Sequence, residues 1–200
     1  MSISIISLFV SVVALLVSFL MSSRQNQISL KQYTLNYIDM ENNDELLIES
    51  RKWLLNIDHT IDYIDSFCSP KSFLEYKGIC TDNLKENEFP GDDRYLIDEF
   101  IMGNDYINKI IMAREIASEA IVSKLIDEET YWLVRHVDFF RDYRKLDSFI
   151  LKKYKQKNCD ESYSRKAFRM IVNKWRDEEV IDVKNKMKKR KWRKYWENLQ

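Results

Sequence analysis

The side chains whose types and spacing bear on chemistry are few. The chain has two histidines, His59 and His136, and neither belongs to a Glu-x-x-His or His-Glu-x-x-His pattern. Such patterns place two ligands on one helix face, so helical di-iron and zincin centres lack their signature. Glu115 with Glu119, and Asp138 with Asp142, stand four residues apart. On a helix each pair shares a face and could grip a metal, although Arg135, Arg141 and Arg144 beside the second pair fit intrahelical ion pairing on a solvated face. His136, within LVRHVDFF, reads as a histidine at the edge of a core. Cys68, Cys80 and Cys159 lack zinc-site spacing and read as ordinary thiols in a reducing compartment. Three glycines leave no phosphate-cradling loop. The residues call for no cofactor and point away from an enzyme.

The strongest feature is a charge run. Eight of the eleven residues from 184 to 194 are basic and none is acidic. Lys184, Lys186, Lys188, Lys189, Arg190, Lys191, Arg193 and Lys194 carry the charge, with Trp192, Tyr195 and Trp196 among and after them. The whole chain balances 32 basic against 32 acidic residues, so the body before this tail carries excess acid. A basic aromatic tail suits an anionic lipid surface, nucleic acid or an acidic protein. On a helical wheel Trp192, Tyr195, Trp196 and Leu199 share about 100° of arc, away from most of the cations.

The other end of the chain chooses among these. Residues 3–21, ISIISLFVSVVALLVSFLM, carry no charge. As a helix they reach roughly 30 Å, the thickness of a bilayer core. Ser4, Ser7, Ser11 and Ser18 can bond back to their own helix carbonyls. A cleaved signal peptide would need a positive start and a small-residue cleavage site, and neither is apparent. The reading is an uncleaved single-pass anchor over 1–23. Arg24 and Lys31 follow it while only Met1 and Ser2 precede it, which puts the N-terminus outside and the body in the cytoplasm, at the inner membrane. A tail tethered beside the inner leaflet then meets anionic lipid at high effective concentration. Nucleic acid is the alternative.

With 3 glycines and 2 prolines the rest reads as mostly α. A helical stalk covers 24–41. A bundle of about four helices covers 42–183, interrupted by an irregular insert at 69–91. Its first helix carries Leu47, Trp53 or Leu54, Ile57, Ile61 and Ile64 at helical spacing to about Phe67. The second, capped by Asp92 or Asp93, carries Leu96, Phe100, Ile107, Ile110 or Ile111, Ala117 and Ile121, with Gly103 marking close packing or a kink. The third, capped by Asp127, carries Leu133, Val134, Val137, Phe140, Leu146, Phe149 and Ile150. The last starts near Glu161 and carries Phe168, Ile171, Trp175 and Val180 or Val183.

The order of the pieces, from the apolar start through NNDELLIESRKWL and IMAREIASEAIVSKLIDEETY to FFRDYRKLDSFI, resembles a family of small membrane-anchored bacterial and prophage proteins classed as a domain of unknown function. Glu115 and residues 125–129, LIDEE, match the family's helix glutamate and its "GLIDEEL" turn. Lys124 stands where the family has a turn glycine, and Ala113 and Arg114 stand where it has an aromatic residue. The resemblance implies an anchored helical domain, with a phage-exclusion or defence role. The expected function is a membrane-anchored, cytoplasm-facing interaction module with an unknown protein partner. A membrane-tethered effector acting on nucleic acid is the alternative.

Overall fold

The computed structural model describes residues 2–56, 58–82, 84–85, 87–90, 93–156 and 166–178, the side chains of 2–11 and 154–156 excepted. The described residues are mostly helical, with no strand among them. The helices are α1 (Ser2–Asn43), α2 (Glu45–Leu54), α3 (Ile61–Ser66), α4 (Pro70–Tyr76), α5 (Arg94–Val122), α6 (Glu128–Gln156) and α7 (residues 166–178).

Two long helices form the frame. α5 and α6 are an antiparallel hairpin: Lys153 on α6 donates to Asn104 Oδ1 on α5 at 2.9 Å, while the chain turns over at 123–127. That turn closes with Leu125 N–H on Ala120 O at 2.8 Å and Lys124 N–H on Ile121 O at 3.0 Å. Lys124 sits at φ 57, the left-handed cap that glycine fills most readily. Asp127 Oδ2 then accepts from Thr130 N–H at 2.9 Å and starts α6. Asp93 caps α5 in the same way.

The α5 stripe is buried as its periodicity requires: Phe100, Ile107, Ile110, Ile111, Ala117 and Ile121 all lie in the core. The ends of α3 and α4 pack beside it. A Cβ at Gly103 would stand 2.2 Å from Phe67 Cε1, so the position serves close packing. Phe67 has nowhere to go, with Trp53, Tyr63, Phe73 and Phe100 ringing it at centroid separations of 5.0–5.9 Å. Gly103→Ala is therefore expected to destabilise by about 1–3 kcal/mol from overpacking, larger than the roughly 0.5–1 kcal/mol that alanine adds to a helix interior. Chemical denaturation reads the sign, and a stabilised variant would show that Phe67 moves freely.

Four sequence expectations need correction. The first body helix does not run to Phe67. It stops at Leu54, since Asn56 Oδ1 accepts from Asp58 N–H at 3.2 Å and Thr60 caps a new helix through Tyr63 N–H; Ile61 ends up exposed. The stretch 69–91 is not wholly irregular, because Ser69 caps α4 and Pro70 opens it. The helical stalk does not end at 41 but runs through Asn43, with Thr34, Ile38 and Glu41 buried against the body. The phase given to the start of α6 was rotated. Leu133 is 64% exposed, with Val134 and Val137 also exposed, while Tyr131, Arg135, Phe139, Asp142 and Tyr143 are buried. From Leu146 through Phe149 and Ile150 the expected stripe is in the core.

α7 lies antiparallel to α6. Phe168 meets Phe139 and Tyr143 at 5.4 and 5.5 Å, and farther along Trp175 Nε1 donates to Glu128 Oε1 at 2.9 Å, at the start of α6. Phe168, Ile171, Val172 and Trp175 are all buried. Among the described residues no helix is long and apolar enough to cross a membrane. The uncharged run 3–21 begins in residues whose side chains lie outside the described set.

Candidate functional site

Where α1 meets the body, the core is charged. Glu41 from α1 accepts from the Tyr131 hydroxyl at 2.9 Å and from Arg135 Nε at 3.2 Å, both on α6. Arg114 from α5 reaches Glu41 with Nη1 at 3.5 Å and holds Asp142 of α6 with Nε at 2.8 Å. Asp138, one turn before Asp142, takes Arg51 of α2 at 2.7 Å and Arg141 at 2.6 Å. Arg135 also reaches Asp138, at 3.3 Å, and donates to Asn42 and to the Ile38 carbonyl. Four arginines from α2, α5 and α6 thus meet three carboxylates from α1 and α6. Arg114 and Asp142 are essentially shut off from solvent.

The sequence can build this because each partner falls on the inward face of its own helix. On α6, Tyr131, Arg135, Asp138, Asp142 and Leu146 follow at steps of three and four. On α1, Thr34, Ile38 and Glu41 do the same. The Arg114 guanidinium also lies over the Phe139 ring, 4.8 Å from its centroid, so its apolar face is covered while its edges are paired.

The electrostatics fix the charges. Burial by itself would lower the Arg114 pKa, but Asp142, with further contributions from Tyr131 and Glu41, holds it above the ordinary value. Burial works to raise Asp138, yet Arg51 and the neighbouring arginines hold its carboxyl below the usual range. Burial pushes the Tyr131 phenol well up, and Glu41 adds to this despite Arg114. Each of these three shifts, on Arg114, Asp138 and Tyr131, moves the group away from titrating near neutrality, which suits a structural clasp rather than a general acid or base.

The two carboxylate pairs separate. Glu115 is buried and accepts from the N–H groups of Ala167 and Phe168 at 3.3 and 3.0 Å, capping α7 from outside, while Glu119 is exposed. Asp138 makes the expected intrahelical pairs with Arg135 and Arg141 and adds Arg51 of α2, while Asp142 is held by Arg114 of α5, so the two stand in the clasp rather than on a solvated face. No group of three or more His, Cys, Asp or Glu side chains suited to a metal occurs among the described residues. His136 is half-buried, stacked on Trp132 at 4.4 Å with Nδ1 2.7 Å from the Trp132 carbonyl. His59 is held by the Trp53 carbonyl at 2.6 Å. Cys68 and Cys80 are free thiols, and burial pushes Cys68 up to about 12, which leaves it unreactive. Residues 184–196 of the basic tail, together with Cys159, Val180 and Val183, lie outside the described residues.

Sequence reasoning missed the clasp. Its only local signal is Glu41, Arg114, Arg135 and Asp142 falling at core phase in their helices. No family model matches this chain, and no curated protein or solved structure matches it either.

Proposed function

We propose that this chain is a single-pass membrane protein, N-terminus outside, whose helical body works at the cytoplasmic face as a non-enzymatic interaction module. A phage-exclusion or defence role fits the family it resembles. The observation that carries the reading is the bare outer part of α1. From residue 12 to 29 every side chain of that helix is exposed, including Leu15, Leu16 and Leu20, with Phe19 at 72%. Its part up to Met21 is uncharged and apolar, and such a stretch standing clear of a well-packed body needs a surrounding other than water.

The direction of α7 supports the tail as a second membrane contact. Trp175 lies against Glu128, and the neighbouring Asp127 N–H donates to Thr34 of α1 at 2.7 Å. The described end of α7 therefore lies at the end of the body from which α1 heads for its apolar segment. Thr34 to Arg24 is ten residues, or about 15 Å of helix. A basic residue that reaches an anionic lipid surface contributes up to about 1 kcal/mol there.

The test uses the full chain in cell membranes. A reporter fused after Gln200 is expected to read cytoplasmic. The intact chain should resist extraction by salt. With residues 3–21 deleted, the remaining membrane association should fall away as salt rises, because exposed charges are screened within roughly 10 Å at 0.1 M. Changing Lys188, Lys189, Arg190 and Lys191 to Gln in the deleted form should abolish it. Release by nuclease instead of salt alone would move nucleic acid to first place.

A further inference from the structure

α1 has two stripes, and the body uses only one of them. The body-facing stripe is Leu30, Thr34, Tyr37, Ile38 and Glu41, half-buried or buried. The second runs Met21, Gln25, Ile28, Gln32, Leu35, at alternating steps of four and three. With 3.6 residues per turn its centre lies roughly opposite the first. All five are exposed, Ile28 at 53% and Leu35 at 43%. Nothing in the described body covers them.

We infer that this outward face of α1 pairs in parallel with the same face of a second copy of the chain, as a two-helix coil running from the apolar segment to Leu35. Three observations choose the occupant. The spacing is a strict heptad, the period by which a helix winds around another rather than around its own domain. The same heptad continues backward through residues 3–21 and there collects every small residue: Ser4, Ser7, Ser11, Ala14 and Ser18, while the other positions are Ile, Leu, Val, Phe or Met. The chemistry changes where the solvent should change. In lipid, apolar bulk gives no drive to associate, and small residues let backbones approach and serine hydroxyls bond across. Beyond Arg24, in water, Ile28 and Leu35 supply apolar burial. Gln25 and Gln32, at the alternate positions, set register, as polar residues there do.

A second copy satisfies this face better than any other partner. A two-fold pair brings each residue against its own equivalent, so small meets small and Gln meets Gln without a complementary sequence elsewhere. Copies inserted in one membrane share one orientation, which enforces the parallel arrangement. Because the Asp127 N–H holds Thr34 and the clasp holds residues 38–42 to the body, pairing of α1 would bring two bodies together at a fixed angle.

The inference rests on the anchored reading and is tested apart from it. Single cysteines are placed in full-length protein with Cys68, Cys80 and Cys159 changed to Ser, and membranes are oxidised. Gln25→Cys, Ile28→Cys, Gln32→Cys and Leu35→Cys are expected to give disulfide-linked dimers containing both of two co-expressed tags. Asn26→Cys and Tyr33→Cys, which point away from the stripe, should give several-fold less. Adding Ser11→Ile with Ala14→Ile to Ile28→Cys should suppress the cross-link without changing membrane association. Equal cross-linking on all faces, adducts to a different protein, or monomer throughout would overturn the pairing while the anchor stands. Protein found in the soluble fraction would overturn both.

Discussion

Arg114→Ala is expected to cost about 3–5 kcal/mol in chemical denaturation, the range for breaking a buried ion pair from one side. The size follows from what is left behind rather than from what is removed. Asp142 is fully buried, and Arg114 meets it with both Nε and Nη2 at 2.8 Å. Arg51 Nε, at 3.6 Å, is too distant to replace those bonds. Glu41 loses one cation as well and keeps Tyr131 and Arg135. The double variant Arg114→Met with Asp142→Leu removes both charges and should recover much of the loss, since an apolar pair of similar volume can replace a buried ion pair at little cost. If Arg114→Ala alone falls below about 1 kcal/mol, water reaches Asp142 and the clasp is open. Acid should act in the same direction. The Asp138 carboxyl is held below its ordinary range against the opposing effect of burial, so its contribution is present above the unfolded pKa and disappears as pH falls through the folded one. Arg51→Ala should flatten that acid dependence.

The clasp also explains which parts of this fold were legible. α5 could be read because its inward positions, from Phe100 to Ile121, are mostly apolar and keep the helical period over 29 residues. Asp93 and Asp127 announced helix starts because capping is local chemistry. α6 was misread because its inward face mixes Tyr131 and Phe139 with Arg135 and Asp142. A count of apolar residues alone rotates that helix toward Leu133 and Val137, which the charged partners make into the outer face. Those partners sit on α1, α2 and α5, between 28 and 94 residues away in sequence. No local pattern reports them. Arg114 shows the same point from the other side. It is a fully buried arginine within the apolar stripe of α5, and in the fold its guanidinium covers the Phe139 ring. The break between α2 and α3 was hidden for another reason: residues 55–60 hold neither glycine nor proline. The turn depends on Asn56, on Thr60 and on His59 reaching the Trp53 carbonyl.

Trp175→Ala should be the most damaging single truncation outside the clasp, at about 3–5 kcal/mol. The ring is fully buried, lies 5.1 Å from the Phe139 ring, and donates through Nε1 to Glu128. Phe168, Ile171 and Val172 complete the face by which α7 covers α6, but Trp175 has the largest side chain among them and sits nearest the start of α6. Trp175→Phe separates the two contributions. It keeps most of the ring volume and loses the hydrogen bond, for which about 1.5–3 kcal/mol is expected when the acceptor is charged, less the share Glu128 retains through Lys174 at 2.6 Å. Loosened packing should also appear as faster tryptic cleavage after Arg169 and Lys174, measured at a denaturant concentration where the rest of the body is intact. This variant joins stability to the membrane reading, because Trp175 holds the last described turns of α7 at the end where α1 leaves the body. In the form lacking residues 3–21, Trp175→Ala should weaken salt-sensitive membrane association even though every tail cation is present. Association unchanged by Trp175→Ala, alongside a clear loss of stability, would mean that the tail finds the membrane without α7 to direct it.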